Sequence, residues 1–156
     1  MLDMNEMCQR LAMHEGIRLS PYRCSKGKLT IGIGRNVEDN PVTDEEQQVV
    51  GDWRHGITKQ AAFYLLRNDI RRVWAELKQK VPFWQELSDE RKYALLDMAF
   101  NLGINGLLAF KKMLAAMGTG NFNQAAIECL DSRYAKDVGK RAERIAETIR
   151  TGRFRV

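Results

Sequence analysis

No stretch of this 156-residue chain approaches the roughly 20 consecutive apolar residues that a membrane-spanning helix needs, so stable insertion into a bilayer is not expected. Cysteine is scarce. Cys8, Cys24 and Cys129 are odd in number and far apart, which excludes a disulfide framework and points to synthesis in a reducing compartment. The opening "MLDMNEMCQR" carries acidic residues and no apolar h-region, so no secretory signal is expected. Repeats, low-complexity tracts and linkers are missing, and the length suits one domain with its own core. No cluster of ligand-type residues has metal-site spacing. The formal charge is +5 with a pI near 9.2, which suits either a solvated basic surface or a polyanionic partner such as nucleic acid, an anionic membrane or an anionic cell-wall polymer. No groove-reading motif accompanies the charge, and this argues against a nucleic-acid-binding helical protein.

What is present is an ordinary soluble composition, 44% hydrophobic and 29% charged, with strong helical punctuation. Asp3 can cap a first helix with Glu6 at its third position, and Met4, Met7, Cys8 and Leu11 follow at helical spacing. Gly16 stops it. "PYRCSKGKLTIGIG" reads as a β-hairpin turning around Ser25 to Gly27. There Leu29, Ile31 and Ile33 alternate onto one face and Thr30, Gly32 and Gly34 onto the other. A face with two glycines suits close approach of a ligand or of another backbone, and it makes Gly32 a candidate binding residue. A polar segment follows, with a short helix capped by Thr43 and Glu46. From Thr58, Phe63, Leu66, Ile70, Val73, Trp74 and Leu77 keep a 3.6-residue beat until Pro82. "YALLDMAF" marks a buried helix within Ser88 to Asn101, and further helices are predicted near 106–117, 122–130 and 140–150. This order predicts one domain: a small lobe over about 15–58, a bridging helix over about 58–80 and a helical lobe of 1–14 plus 81–156. A cleft lies between the lobes on this reading.

Glu15 lies on the last turn of the first helix or just past it. A carboxylate there meets the negative end of the helix dipole, which favours the protonated form that a general acid needs. Cys24 and Thr30, on paired strands, are placed to hold or activate a nucleophile opposite it. Spacing alone leaves a blander alternative open, in which Glu15 is a solvated helix end, Cys24 a small strand residue and Thr30 a β-former.

The sequence also resembles a known family, the phage-type lysozymes or endolysins (glycoside hydrolase family 24), over almost its whole length. "HEGIRLSPY", "TIGIGR", "GITKQAA", "ALLDMAFNLG", "FKKML", "KRAERI" and "RTG" occur in that family's order and approximate spacing. Glu15, Cys24 and Thr30 fit its signature of a glutamate, eight residues, an aspartate or cysteine, five residues and a threonine. The resemblance implies an α+β lysozyme-like fold, mostly helical with a small hairpin lobe. It implies a muramidase that cuts the β-1,4 bond between N-acetylmuramic acid and N-acetylglucosamine in peptidoglycan, with no metal or organic cofactor. Glu15 becomes the acid, Cys24 the second catalytic residue and Thr30 a residue that positions water. Cys24 stands where other members have aspartate, and base, covalent nucleophile and spacer all remain open for it.

By the same resemblance Arg141, in "KRAERI", matches the arginine that pairs with the catalytic glutamate. Asn101 and Phe110 match positions near the cleft, Phe110 having a core role as its alternative. Arg35 stands where many members have histidine, and its implied partner is Asp69, with solvated surface charge as the alternative. His14 and His55 read as surface or cap residues, Trp74 as core and Trp53 as part of a local mini-core. A phage endolysin would be made in the host cytoplasm and reach the wall through a separate membrane pore, acting as a monomer on glycan strands. The rival reading keeps the fold and drops the chemistry: an inactive wall-binding or baseplate module.

Overall fold

A computed structural model describes residues 2–154 and shows an α+β chain. Its elements are α1 (Met4–Glu15), β1 (Arg18–Arg23), β2 (Leu29–Gly32), β3 (Arg35–Asn36), α2 (Asp44–Val50), α3 (Lys59–Lys80), α4 (Asp89–Leu108), α5 (Lys111–Gly118), α6 (Phe122–Leu130), α7 (Arg133–Val138) and α8 (Lys140–Thr151). The chain divides into two compact units. One is Asp3–Arg72, the other runs from Val73 onward and takes in Leu2, and the division falls inside α3. No single helix among the described residues is long and apolar enough to cross a membrane.

In the Asp3–Arg72 unit, α1 starts as its sequence predicts, with Asp3 Oδ1 accepting from the Glu6 N–H at 2.8 Å. Met7, Cys8 and Leu11 are buried. The sequence reading groups residues 1–14 with the helical lobe. In the structure Asp3 to His14 fall in the unit that holds the sheet, where Cys8 lies near Arg67 and Arg71 of α3.

The sheet has three antiparallel strands in the order β1-β2-β3, one more than the hairpin read from the sequence. β3 is two residues long, too short to show alternation. Pro21 sits inside β1, which is possible because β1 is an edge strand and its register slips between Arg18 and Tyr22. Ile31 pairs with Arg35, so Gly32, Ile33 and Gly34 form the turn between β2 and β3. Gly32 and Gly34 both have φ of +72°, a region that glycine enters at little cost. The paired glycines therefore serve the turn. Ile57 and Ala62 lie 3.4–3.5 Å from where a Cβ on Gly32 would stand, so on that side the glycine packs against its own unit.

α2 opens with a reciprocal capping box between Thr43 and Glu46, and Thr58 Oγ1 caps α3 by accepting from the Ala61 N–H at 3.0 Å. Glu46 has a second role. Arg35, 5% exposed, donates to both of its carboxylate oxygens at 2.6 and 3.0 Å and to the carbonyls of Asn40 and Pro41. Its Nη1 lies 3.1 Å from Asp69 Oδ1, so the expected Arg35–Asp69 pair forms, but inside the unit rather than on its surface. Asn68 donates to Glu46 and Arg72 to Asp69. Arg35 thus ties β3 to α2 and α3.

Burial pushes the Glu46 carboxyl up, but hydrogen bonds from Arg35, the Thr43 N–H and Asn68 outweigh it and hold its pKa at about 2, against an ordinary 4.5. A folded-state pKa below the unfolded one stabilises the fold above about pH 4.5, and the contribution is lost as pH falls toward about 2. Burial pushes Asp69 upward despite Arg35 and Arg72, so its protonation offsets part of that loss. Glu46→Gln is expected to cost about 3 kcal/mol at neutral pH, and the gap to wild type should close between about pH 5 and about pH 2 in denaturant titrations.

In the second unit Trp74 and Trp84 meet edge to face at 5.1 Å. α4 buries every residue from Tyr93 to Ala99 and is interrupted at Gly103. The helices predicted near 122–130 and 140–150 form as α6 and α8, α5 starts later than predicted at Lys111, and six-residue α7 was not foreseen. Arg91 fastens the end of α8: its Nε donates to the Ile149 carbonyl at 2.7 Å and its Nη2 to that of Arg150 at 3.1 Å.

Candidate active site

The end of α1 and the first hairpin of the sheet bring Glu15, Cys24 and Thr30 into one compact unit. Glu15 is the last residue of α1 and is half-buried. Its carboxylate lies against Gly34, where an added Cβ would stand 3.1 Å from Oε2. Gly34 is therefore a neighbour of the candidate acid that the sequence reading passed over as one of a pair. Its own signal is position, since it follows the strand that carries Thr30. Gly34→Ala would put a side chain at positive φ and against the carboxylate. We expect a stability loss of about 1 kcal/mol and a larger fall in any activity that depends on Glu15, read as kcat beside a melting curve.

Thr30 is paired with Tyr22 across the sheet and is only 2% exposed. Tyr22 and Thr30, directly opposite each other, project from the same face of the sheet, and by alternation Cys24, two residues further on, follows them. Tyr22, which the sequence reading did not single out, is half-buried with the Arg18 guanidinium 4.4 Å from its ring centre. Burial, Glu15 and Cys24 all raise its pKa, with Arg18 opposing, so the phenol stays protonated beside the other two.

Cys24 starts the turn that closes the hairpin: its N–H donates to the Lys28 carbonyl at 2.9 Å, and its carbonyl accepts from the Gly27 N–H at 2.8 Å. This turn aims backbone N–H groups at the sulfur. The Lys28 N–H lowers the thiol pKa most, burial raises it, and the Lys26 N–H, the Thr30 hydroxyl and the residue's own N–H lower it further. Arg23 and Lys26 flank Cys24 in the sequence, and their charge would also favour a thiolate. Hydrogen bonds, most of them from the backbone, do the lowering here, in the manner of a small anion nest.

One hydroxyl proton serves two states. Thr30 Oγ1 donates to the Lys28 carbonyl at 2.9 Å. If the thiol ionises, that proton can turn toward the sulfur without stranding the carbonyl, because the Cys24 N–H still donates to it. The other two cysteines differ. Cys8 is buried and its pKa is raised mainly by burial, and burial pushes Cys129 up to about 12.

The family model for phage lysozyme matches residues 12–148, nearly nine-tenths of the chain and all three of these residues. The chain belongs to the phage lysozyme family. It is 32% identical to the pre-baseplate central spike protein Gp5 of Enterobacteria phage T4, over 94% of this chain but only 28% of that protein's length. It is 32% identical to an endolysin of Acyrthosiphon pisum secondary endosymbiont phage 1, covering 82% of this chain and 77% of the endolysin. A probable T4-type lysozyme of Dictyostelium discoideum is 26% identical over 91% of this chain and 92% of its own length.

The remaining candidates of this phage lysozyme family member fall in two places. Arg35 and Asp69 belong to the buried network under β3, and the sequence missed Glu46 there because its capping motif already explained it. Asn101, Phe110 and Arg141 belong to the second unit. Asn101 is a half-buried residue of α4, and Phe110 meets Tyr134 edge to face at 6.0 Å. Arg141 donates from Nε to Asp97 Oδ1 at 2.7 Å, and the Tyr93 hydroxyl donates to Asp97 Oδ2 at 3.2 Å. Asp97 was also missed. Its signal is a lone acid inside the apolar run "YALLDMAF", since a buried carboxylate needs a partner. Among the described residues no group of three or more His, Cys, Asp or Glu is placed to hold a metal ion.

Proposed function

We propose that the chain is a peptidoglycan muramidase of glycoside hydrolase family 24 that hydrolyses the β-1,4 bond between N-acetylmuramic acid and N-acetylglucosamine during lysis of a bacterial host by a phage or prophage. The observation that carries this reading is the placement of Glu15 at the end of α1 in the same unit as the hairpin face of Cys24 and Thr30. Glu15 delivers its proton to the glycosidic oxygen as the C–O bond breaks. Positive charge then develops on the sugar ring, and Cys24 as thiolate faces it with negative charge. Thr30 holds the thiolate and orients the water whose oxygen ends on the anomeric carbon. The proton that water loses passes to the Cys24 thiolate if Cys24 is a base, or back to the Glu15 carboxylate if Cys24 is a covalent nucleophile. Arg141, fixed by Asp97, is assigned to the catalytic glutamate on the family resemblance, with Asn101 and Phe110 as supporting residues and Arg35 and Asp69 as the brace beneath the sheet.

The enzyme works as a monomer without a cofactor, is made in the host cytoplasm and reaches the wall through a separate pore. Its direct test is the clearing of a suspension of purified sacculi, which should fall in turbidity with wild-type protein. Unchanged turbidity at micromolar protein would remove the activity. It would favour the second reading, for which the likeness to a baseplate spike protein over 94% of this chain speaks: a lysozyme-like structural module of a larger assembly.

A further inference from the structure

Residues 133–155 hold eight lysines and arginines against three acids, a balance of +5 that equals the net charge of the whole chain. Residues 1–132 carry seventeen of each sign and are neutral. Arg133, Lys136, Lys140, Arg144, Arg150 and Arg153 are all exposed. Arg150 is engaged by Glu147 at 2.7 Å, whereas the other five make no ion pair among the described residues. The helix beneath them is anchored. α8 buries Ala142, Ile145, Ala146 and Ile149 on its inner side, and Arg91 holds its last carbonyls.

Surface charges of both signs are normally interspersed, as they are over residues 1–132, and a solvated face needs no concentration of one sign. Five unpaired cations on two consecutive short helices and their C-terminal extension instead form a fixed positive field in which a multivalent anion can settle. Peptidoglycan is such an anion: each repeat can present carboxylates of its stem peptide, spaced along a strand. An insoluble substrate also makes retention useful, because an enzyme held on the mesh meets its next bond without returning to bulk solvent.

We propose that the exposed cations of α7, α8 and the residues after them form an electrostatic docking surface for the stem-peptide carboxylates of the wall polymer, separate from the residues that cut it. The identity of the partner rests on the muramidase reading above, but binding and cutting are measured apart. Glu15→Gln protein is mixed with purified sacculi and pelleted at low salt and at roughly sixfold higher salt, where the screening length is markedly shorter. Beside it runs the same protein carrying Lys136→Gln, Lys140→Gln and Arg144→Gln. None of the three residues belongs to the catalytic machinery, and glutamine keeps the helices.

The expected result is binding that weakens steeply with salt, and at low salt an affinity on the order of tenfold lower in the triple variant. In an otherwise wild-type background the triple variant should raise KM for sacculi and leave kcat unchanged. A charge-conserving variant carrying Lys136→Arg, Lys140→Arg and Arg144→Lys should bind as its parent does. Salt-independent pelleting, equal pelleting of the glutamine variant and its parent, or capture by phosphatidylglycerol vesicles without capture by sacculi would each overturn the proposal. A wild-type protein that binds sacculi in this way and never cuts them would leave the docking surface standing and remove the muramidase.

Discussion

Replacing Glu15 by glutamine is expected to lower lysis of purified sacculi by roughly 10²–10⁴-fold, the usual contribution of a positioned general acid. Glutamine keeps the length of the side chain and its hydrogen-bonding capacity, so the contact with Gly34 and the end of α1 should persist. It cannot deliver a proton. The melting temperature should move by no more than a few degrees, which separates loss of chemistry from loss of fold. Activity within a factor of a few of wild type would take Glu15 out of its assigned role. It would also leave the position of Gly34 beside the carboxylate without a functional meaning.

Mild alkylation with iodoacetamide near neutral pH should modify Cys24 first and abolish lysis. The three thiols differ in both access and acidity. Cys24 is half-buried in a turn whose N–H groups favour the thiolate, while Cys8 and Cys129 are buried and their thiols are raised, Cys129 to about 12. The thiolate is the reactive form, so both differences point the same way. Peptide mapping of protein labelled to one equivalent should find the adduct on Cys24. Cys24→Asp should keep substantial activity, because it puts a permanently charged group among donors that favour an anion. Cys24→Ala should lose nearly all of it, whereas modest loss would reduce Cys24 to a spacer. Thr30→Val should slow alkylation of Cys24 at neutral pH, since the thiolate loses a donor. A glycosyl adduct on Cys24, trapped in rapid quench and seen by mass, marks a covalent nucleophile; its absence with full loss in Cys24→Ala marks a base.

Periodic segments were legible where packing follows periodicity. The beat from Phe63 to Leu77 gave α3, and Asp3 and Thr43 gave helix starts, because those signals are local. β3 and α7 carry too few residues for a period to develop. The glycines of "TIGIG" looked like a ligand face because both lie on one side of an ideal strand. The strand ends at Gly32, and turn geometry, which depends on pairing with Arg35, explains the pair better. In the site, position at a helix end and on a hairpin made Glu15, Cys24 and Thr30 candidates, and the family resemblance supplied their roles. The state of Cys24 was not legible, since the donors that stabilise its thiolate are main-chain groups that nearly every residue possesses. Asp97 escaped because Arg141 lies 44 residues away in sequence, and Glu46 because its capping motif already accounted for it.

If the face of Glu15, Cys24 and Thr30 cuts one particular glycosidic bond, the new chain ends must all be of one kind. Reducing-end analysis tests this most directly. Purified sacculi are digested with wild-type protein and, in parallel, with Glu15→Gln, reduced with borohydride, hydrolysed and analysed for amino sugar alcohols. A muramidase exposes the anomeric carbon of N-acetylmuramic acid, so muramitol should accumulate with time in the wild-type digest and stay at background with Glu15→Gln. Accumulation of glucosaminitol instead, or no new reducing ends from either protein, would contradict the assignment.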